Sequence, residues 1–270
     1  MNNIGKNYFD IGYMDTLAEG NSFLHRLDPR TKVITTLLFI MAVVSYDKNT
    51  VFAFIPFFIY PIFLISAGGI PFGYLLKKVL IVSPFAILLG IFNPIINREV
   101  VVHIGTIGIS GGWISFISIL LRFVLTVTSA LLLVSLTGFN NVCEALTKFG
   151  VPRPFVQQLL FFYRYIFVLT DEAQRMERAR DVRSFNRRGL NYRTFISLVG
   201  QLLLRTLDRA ERIYRAMCCR GFDGHIHMTT NFKSGLEDYG FVIVWIILFS
   251  GFRFYNIPVK LGEFIIGGFR

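Results

Sequence analysis

Residues 114–137 read ISFISILLRFVLTVTSALLLVSLT, a run of 24 residues in which Arg122 is the only charged side chain. An α-helix needs about 20 mainly apolar residues to cross the roughly 30 Å hydrocarbon core of a bilayer. The run therefore predicts a membrane-spanning helix, and the chain is expected to be an integral membrane protein.

Four further apolar segments cover residues 33–46, 50–67, 79–96 and 241–257. The first has only fourteen residues and can span a bilayer only if its helix includes residues on either side of the apolar segment. Segments 33–46 and 50–67 can alternatively form a tight helical hairpin with its turn at 47–49. Prolines in the second and third segments are tolerated in lipid as kinks. We predict an all-α integral membrane protein with about five transmembrane helices and two long amphipathic cytoplasmic coupling helices.

The composition agrees with a membrane protein, because the 270 residues are 53% hydrophobic and 17% charged, with a mean hydropathy of +0.55. Soluble domains carry roughly 25% charged residues. The net charge of +11 accompanies 29 phenylalanines, which favours lipid over nucleic acid as the partner. The three cysteines Cys143, Cys218 and Cys219 are odd in number and two are adjacent, so we expect no disulfide framework and a reducing environment.

Orientation follows from Lys and Arg near the ends of the spans. We predict a cytoplasmic N-terminal segment at 1–32 without a cleavable signal peptide, four transmembrane helices within 33–137, a cytoplasmic coupling-helix region at 138–240, and a final transmembrane helix with a tail at 241–270. The loop at 68–78 falls on the cytoplasmic side in this topology.

The five spans contain no Asp or Glu. Ion and proton paths through membranes usually need such carboxylates, so we do not expect this chain to form one itself. Arg122 and Arg253 are the charged residues near or within spans. Snorkelling to an interface or pairing with backbone carbonyls is favoured for both over a direct functional role.

Residues 138–240 contain 16 Lys and Arg against 10 Asp and Glu, and they contain an internal repeat. The pattern D-x-A-x-R-[MI]-x-R-A-x-x-x-R-[SG]-F begins at Asp171 and again 37 residues later at Asp208. Both copies show helical periodicity, which predicts two amphipathic helices at about 155–185 and 191–220. We expect Gly221 to end the second helix as its C′ residue.

Each predicted helix ends in an arginine, a small residue and a phenylalanine, with Arg183 and Arg220 at equivalent positions. Complementing the helix dipole explains one such arginine but not the same pattern twice. We therefore favour two equivalent helix ends that engage two equivalent sites on a partner, most simply a dimer of related subunits. Arginine suits such sockets because its planar fork pairs with carboxylates and carbonyls.

The N-terminal sequence LDPRTK at 27–32 and the sequence YRAMCCRGFDG at 214–224 resemble those of the transmembrane T component of energy-coupling factor (ECF) transporters, above all the cobalt-transporting CbiQ branch. The family's two docking motifs read Ala-Arg-Gly. The second is matched here by Cys219, Arg220 and Gly221, and the repeat places the first at Val182, Arg183 and Ser184. A placement at 179–181 keeps Ala-Arg but puts an acid where a small residue belongs.

The resemblance implies that these six residues dock a pair of CbiO-like ABC ATPases. ATP would be used by those partner subunits, and this chain would be neither an enzyme nor the holder of a cofactor. The movement would pass to a membrane-embedded, CbiM-like S component that carries cobalt or nickel, with a small CbiN-like subunit as a further possible partner. The implied location is a bacterial or archaeal cell (inner) membrane, multi-pass, with a cytoplasmic N-terminus.

Several alternatives stay open at this stage. The scaffold can serve a vitamin-specific or shared ECF module, or belong to a non-transport membrane scaffold or enzyme. Cys218, Cys219, His225 and His227 invite a metal site, but their spacing does not match known zinc motifs, and we predict none. No catalytic set is found, and the mixed charges of 138–240 argue against nucleic acid.

Overall fold

The computed structural model describes residues 12–20, 22–46, 51–96, 100–104, 107–183, 192–224 and 235–254. Several predicted features lie outside the described residues, namely the hairpin turn at 47–49, Ser184, His225, His227 and the tail after residue 254.

The described residues are almost entirely helical, which confirms the all-α membrane class. The helices are α1 (12–18), α2 (Phe23–Arg26), α3 (Pro29–Val44), α4 (Ile59–Gly68), α5 (Phe72–Gly90), α6 (Phe92–Ile96), α7 (Gly111–Thr137), α8 (Phe139–Lys148), α9 (Arg153–Arg183), α10 (Tyr192–Cys219) and α11 (Leu236–Phe254). A short antiparallel hairpin of β1 (Val100–Ile104) and β2 (Ile107–Ser110) precedes α7 and was not predicted.

Within the described residues, two helical stretches are long and apolar enough to cross a membrane, Phe72–Pro94 and Gly111–Thr137. The second contains the run at 114–137 and confirms that prediction. The spans predicted at 33–46 and 241–257 correspond to α3 and α11, which begin four and five residues earlier than expected. Their crossing of the membrane stays a prediction.

The prediction of one kinked helix over 50–67 was wrong in its first half. Two 3₁₀ turns occupy Phe52–Phe54 and Pro56–Phe58, and the α-helix begins only at Ile59. Proline has no N–H to donate and its ring crowds the preceding turn, which disfavours an α-helix through Pro56, although α5 does continue through Pro84. The remaining apolar helix, Pro56–Gly68, is shorter than a typical span.

The loop expected at 68–78 was also too long. Gly69 closes α4 in the left-handed conformation, with φ of 65°, and α5 starts at Phe72. Lys77 and Lys78 therefore lie on a helix instead of in a loop. The hydropathy pattern starts the third predicted span only after Lys78. The helix α5 already begins at Phe72 and includes both lysines.

The chain divides into two compact units. One contains residues 14–142 and 232–270 and the other contains Met1–Tyr13 and Cys143–Asn231. In the first unit, α7 packs against α3, α4, α5 and α6, while α11 packs against α3. Buried serines on α7 allow close helix approach, namely Ser115, Ser118, Ser129 and Ser135.

Aromatic side chains from three helices form the centre of this unit. The Phe39 ring on α3 is fully buried and lies 4.6 Å from Tyr60 and 5.5 Å from Phe249, between ring centroids. Trp245 stands edge-on to Tyr60 at 4.8 Å. The cluster thereby joins α3, α4 and α11, which are distant in sequence.

Arg122 and Arg253, the two arginines within predicted spans, both contact residues of the same compact unit. Arg122 donates from Nη2 to the carbonyl oxygen of Tyr46 at 2.8 Å and lies over the Phe54 ring. Arg253 lies over the ring of Tyr46, with 4.5 Å from its guanidinium carbon to the centroid. Carbonyl and cation–π pairing reduces the cost of placing a cation near lipid. The expected pairing with a backbone carbonyl is confirmed for Arg122.

Candidate functional site

The repeat in the second unit lies on the two helices that the periodicity predicted. The predicted bounds 155–185 and 191–220 agree within two residues with α9 and α10. No residue of α10 is buried, and its exposed apolar side chains include Phe195, Val199, Leu203 and Leu207.

The helices α9 and α10 run antiparallel. Near the start of α9, Gln157 donates from Nε2 to the carbonyl oxygen of Gly224, which follows the end of α10, at 2.8 Å. Further along, Arg205 of α10 donates to the Glu172 carboxylate at 2.7 Å. As the residue number rises on α9, the number of its partner falls on α10, so the two chains point in opposite directions.

This arrangement gives the helix pair a local twofold relation. A shift of 37 residues relates the two copies of the repeat, and the Glu172–Arg205 contact places the centre of the relation near Thr170 and Leu207. Arg183 lies thirteen residues beyond Thr170, and Arg220 lies thirteen residues beyond Leu207. At a rise of 1.5 Å per residue, each arginine is about 20 Å from the centre, at opposite ends of the pair.

The end of α10 is held by a glycine. The N–H of Phe222 donates to the carbonyl oxygen of Met217 and that of Gly221 donates to Cys218, both at 3.0 Å. Gly221 has φ of 80°. These features define a Schellman motif and confirm Gly221 as the C′ residue. Arg220 is the last residue before this reversal and is exposed.

Replacing Gly221 by alanine is expected to destabilise the end of α10 by about 1–2 kcal/mol, because a Cβ penalises a left-handed backbone. Gly200→Ala is the matched control, since Gly200 lies inside α10 with open space around an added Cβ, and alanine favours a helix there. Hydrogen exchange of the last α10 amides measures the effect. Equal protection in both variants would contradict the assignment.

At the end of α9, Arg180 and Arg183 differ in solvent exposure and in ion pairing. Arg180 is half-buried and pairs with the neighbouring Asp181 carboxylate at 2.9 Å. Arg183 is exposed, and Val182 before it is 82% exposed. Among the described residues, no salt bridge involves Arg183 or Arg220. This difference favours Arg183 over the alternative placement at 179–181.

The sequence profile of the cobalt transport protein family CbiQ matches residues 20–231, more than three quarters of the chain. The chain belongs to the EcfT/CbiQ family. The resemblance found in the N-terminal and helix-end motifs is thereby confirmed, and the chain is a membrane-embedded T component of the ECF type.

Relatives of this chain can be aligned with it over most of its length. The transmembrane protein EcfT of the energy-coupling factor transporter of Bacillus subtilis is 29% identical over 76% of this chain and 82% of its own. EcfT of Streptococcus thermophilus is 27% identical over 76% and 83%. An uncharacterised protein of Methanocaldococcus jannaschii is 28% identical over 84% and 81%.

The cysteines of this CbiQ family chain differ in environment. Cys218 and Cys219 are exposed free thiols directly before Arg220. Cys143 on α8 is buried, and burial raises the pKa of its thiol to about 11, so it stays protonated at neutral pH. In the part of the chain that the structure describes, no three His, Cys, Asp or Glu side chains form a group able to hold a metal ion.

Sequence reasoning missed the Glu172–Arg205 pair that connects the two helices of this family member. The two side chains are 33 residues apart, and both belong to a stretch of mixed charges. Neither the repeat nor the helical period identifies which acid meets which base. The only available signal was that Glu172 and Arg205 lie close to the centre of their respective helices.

Proposed function

We propose that this chain is the T component of an ECF-type ABC transporter that imports cobalt or nickel ions. In this role it couples ATP hydrolysis by a bound pair of ABC ATPases to movement of a separate substrate-binding membrane subunit. The observation that carries the proposal is the antiparallel helix pair, with an exposed, repeat-related arginine at each end.

Two equivalent arginines in a local twofold relation suit a partner that presents two equivalent sites. A pair of related ATPase subunits has this symmetry, so one helix end can enter each subunit. The guanidinium groups of Arg183 and Arg220 offer five N–H donors each to carboxylates and to helix C-terminal carbonyls. Val182, Ser184, Cys219 and Gly221 flank the two arginines and would form the edges of the contacts.

The antiparallel helix pair can also transmit movement from one of its ends to the other. Closure of an ATPase dimer brings its two halves together, and helix ends bound to different halves must then move relative to each other. The Glu172–Arg205 contact near the centre joins the helices, so displacement at one end is transmitted along both. The chain itself would hydrolyse nothing in this scheme.

The metal substrate is supported by the family name, cobalt transport protein. The EcfT relatives carry a general transporter name that states no substrate, so a vitamin-specific or shared module stays the second candidate. In either case we assign recognition of the substrate to the partner membrane subunit, CbiM-like for cobalt, with a CbiN-like accessory subunit.

Affinity purification of the tagged full chain from its native membrane tests the proposal. We expect an ABC ATPase pair and one small membrane subunit to co-purify, and the complex in liposomes to import radiolabelled Co²⁺ or Ni²⁺ only with ATP. Import of a vitamin and not of metal would favour the second candidate. A chain that purifies without any ATPase would contradict both and favour a scaffold or enzyme of another class.

A further inference from the structure

The motif at 27–32 belongs to the first compact unit, whereas Arg183 and Arg220 belong to the second. Asp28 is the N-cap of α3 and accepts the N–H of Arg30 at 2.9 Å, and Pro29 occupies the first helical position. This explains how α3 begins. It does not explain why Asp28 and Lys32 are both buried, at 2% and 6% exposure. Residues 28–32 are called the anchor turn below.

Lys32 contacts the point where the chain leaves α7 for the cytoplasmic region. Its Nζ donates to the carbonyl oxygen of Leu136 at 3.1 Å and to that of His25 at 3.3 Å. Leu136 is the penultimate residue of α7, so its carbonyl has no partner within the helix. A cation at a helix C-terminus also complements the helix dipole. Lys32 therefore caps α7 across 104 residues of sequence.

Asp238 contacts the same turn at the point where the chain returns into α11. Its Oδ1 accepts the N–H of Asp28 at 2.8 Å, and its Oδ2 accepts the N–H of Gly235 at 2.7 Å. The carboxylate is 6% exposed and lies in the first turn of α11. Burial lowers the pKa of Lys32 to about 8, and attraction by the nearby carboxylates of Asp238 and Asp28 partly opposes this shift. The buried acids and the buried base thus form one network.

We propose that the anchor turn fixes both ends of the cytoplasmic coupling region and transmits its displacement to α3. The inference rests on the proposed function and adds a positioning role for Lys32 and Asp238. The chain joins α9 and α10 to the helices of the first unit after α7 and before α11, so movement of the two helices can reach the first unit through these connections. Both connections are bound to the same five residues.

The charged side chains suit this role because they are costly to separate. A buried charge that loses its partner is left unsolvated, so the network holds or fails as a unit instead of stretching. Because Leu136 and Asp238 are both held to the anchor turn, a displacement that reaches either residue also acts on the start of α3.

Lys32→Met and Asp238→Asn in the reconstituted full complex test the proposal. The first keeps the stem and removes the ammonium, and the second keeps the shape but has one acceptor oxygen and no charge. We expect both variants to retain the ATPase pair and ATP hydrolysis, while substrate imported per ATP falls about tenfold or more. Import per ATP equal to that of the original complex would overturn the proposal.

Tyr60→Phe is the matched control, because it removes another buried hydrogen bond of the same unit, Thr36 to Tyr60 at 2.9 Å, without touching the anchor turn. We expect its import per ATP to be unchanged. An equal loss in Tyr60→Phe would assign the effect to general destabilisation of the core and overturn the proposal.

Hydrogen exchange measured on the full chain without its partners tests the anchor turn independently of any ATPase. Asp238→Asn should accelerate exchange at the Asp28 and Gly235 amides about tenfold, since a charge-assisted acceptor is lost. Unchanged exchange at both amides would overturn the anchor. A chain that binds no ATPase overturns the proposed function instead, and the exchange result then decides the anchor by itself.

Discussion

Simultaneous replacement of Arg183 and Arg220 by glutamate is expected to release the ATPase pair from the purified complex and to abolish substrate uptake. Each substitution removes a guanidinium and places a carboxylate where the partner is expected to present acceptors. Removing one member of a buried, hydrogen-bonded charge pair costs about 2–5 kcal/mol, and repulsion adds to this. The affinity for each ATPase subunit should therefore fall by at least about 30-fold.

The repeat supplies a matched control for this experiment. Arg178 and Arg215 occupy equivalent positions five residues before Arg183 and Arg220, are exposed, and contact side chains four residues before them. Arg178→Glu with Arg215→Glu changes the net charge equally, and we expect the ATPases to stay bound. Retained assembly in the Arg183 and Arg220 double variant, or equal release in the control, would contradict the docking role.

The local twofold relation makes the single variants informative as well. If each arginine enters a different ATPase subunit, either single substitution leaves one contact intact, and the complex should retain ATPase after gentle purification. If both arginines act on one subunit, one single variant should fail as completely as the double. Densitometry of the co-purified ATPase distinguishes these outcomes.

Phe39→Ala is expected to cause the largest loss of stability in the first unit, about 3–5 kcal/mol. The side chain is fully buried against Tyr60, Phe57 and Phe249, so alanine leaves a cavity where α3, α4 and α11 meet. Lipid is as apolar as the core, and lost packing contacts therefore dominate the cost. Thermal unfolding in detergent micelles should show a markedly lower midpoint.

Leu37→Ala serves as the comparison for Phe39→Ala. Leu37 lies on the same helix but is 51% exposed, so its truncation opens no cavity and should cost less than about 1 kcal/mol. Similar midpoints for the two variants would contradict the central position of the aromatic cluster.

Local signals predicted the elements that depend on neighbouring residues. The apolar run at 114–137 became α7, and the helical period placed α9 and α10 within two residues of their bounds. Gly221 ends α10 because the backbone reversal after the helix needs a positive φ, which glycine adopts without strain. This need depends only on the residues next to the helix end. The same signals failed at Pro56 and at Lys77, where backbone geometry and helix continuation overrode hydropathy.

The sequence by itself determined that this is a helical membrane protein with a duplicated arginine motif at two helix ends. Only the tertiary structure decided that the two helices are antiparallel, so that Arg183 and Arg220 point to opposite ends. It likewise decided that Lys32 caps α7 and that Asp238 holds Asp28, 210 residues away. Periodicity encodes which face of a helix is apolar, whereas pairing between distant charges depends on how the helices pack, and no local pattern specifies that.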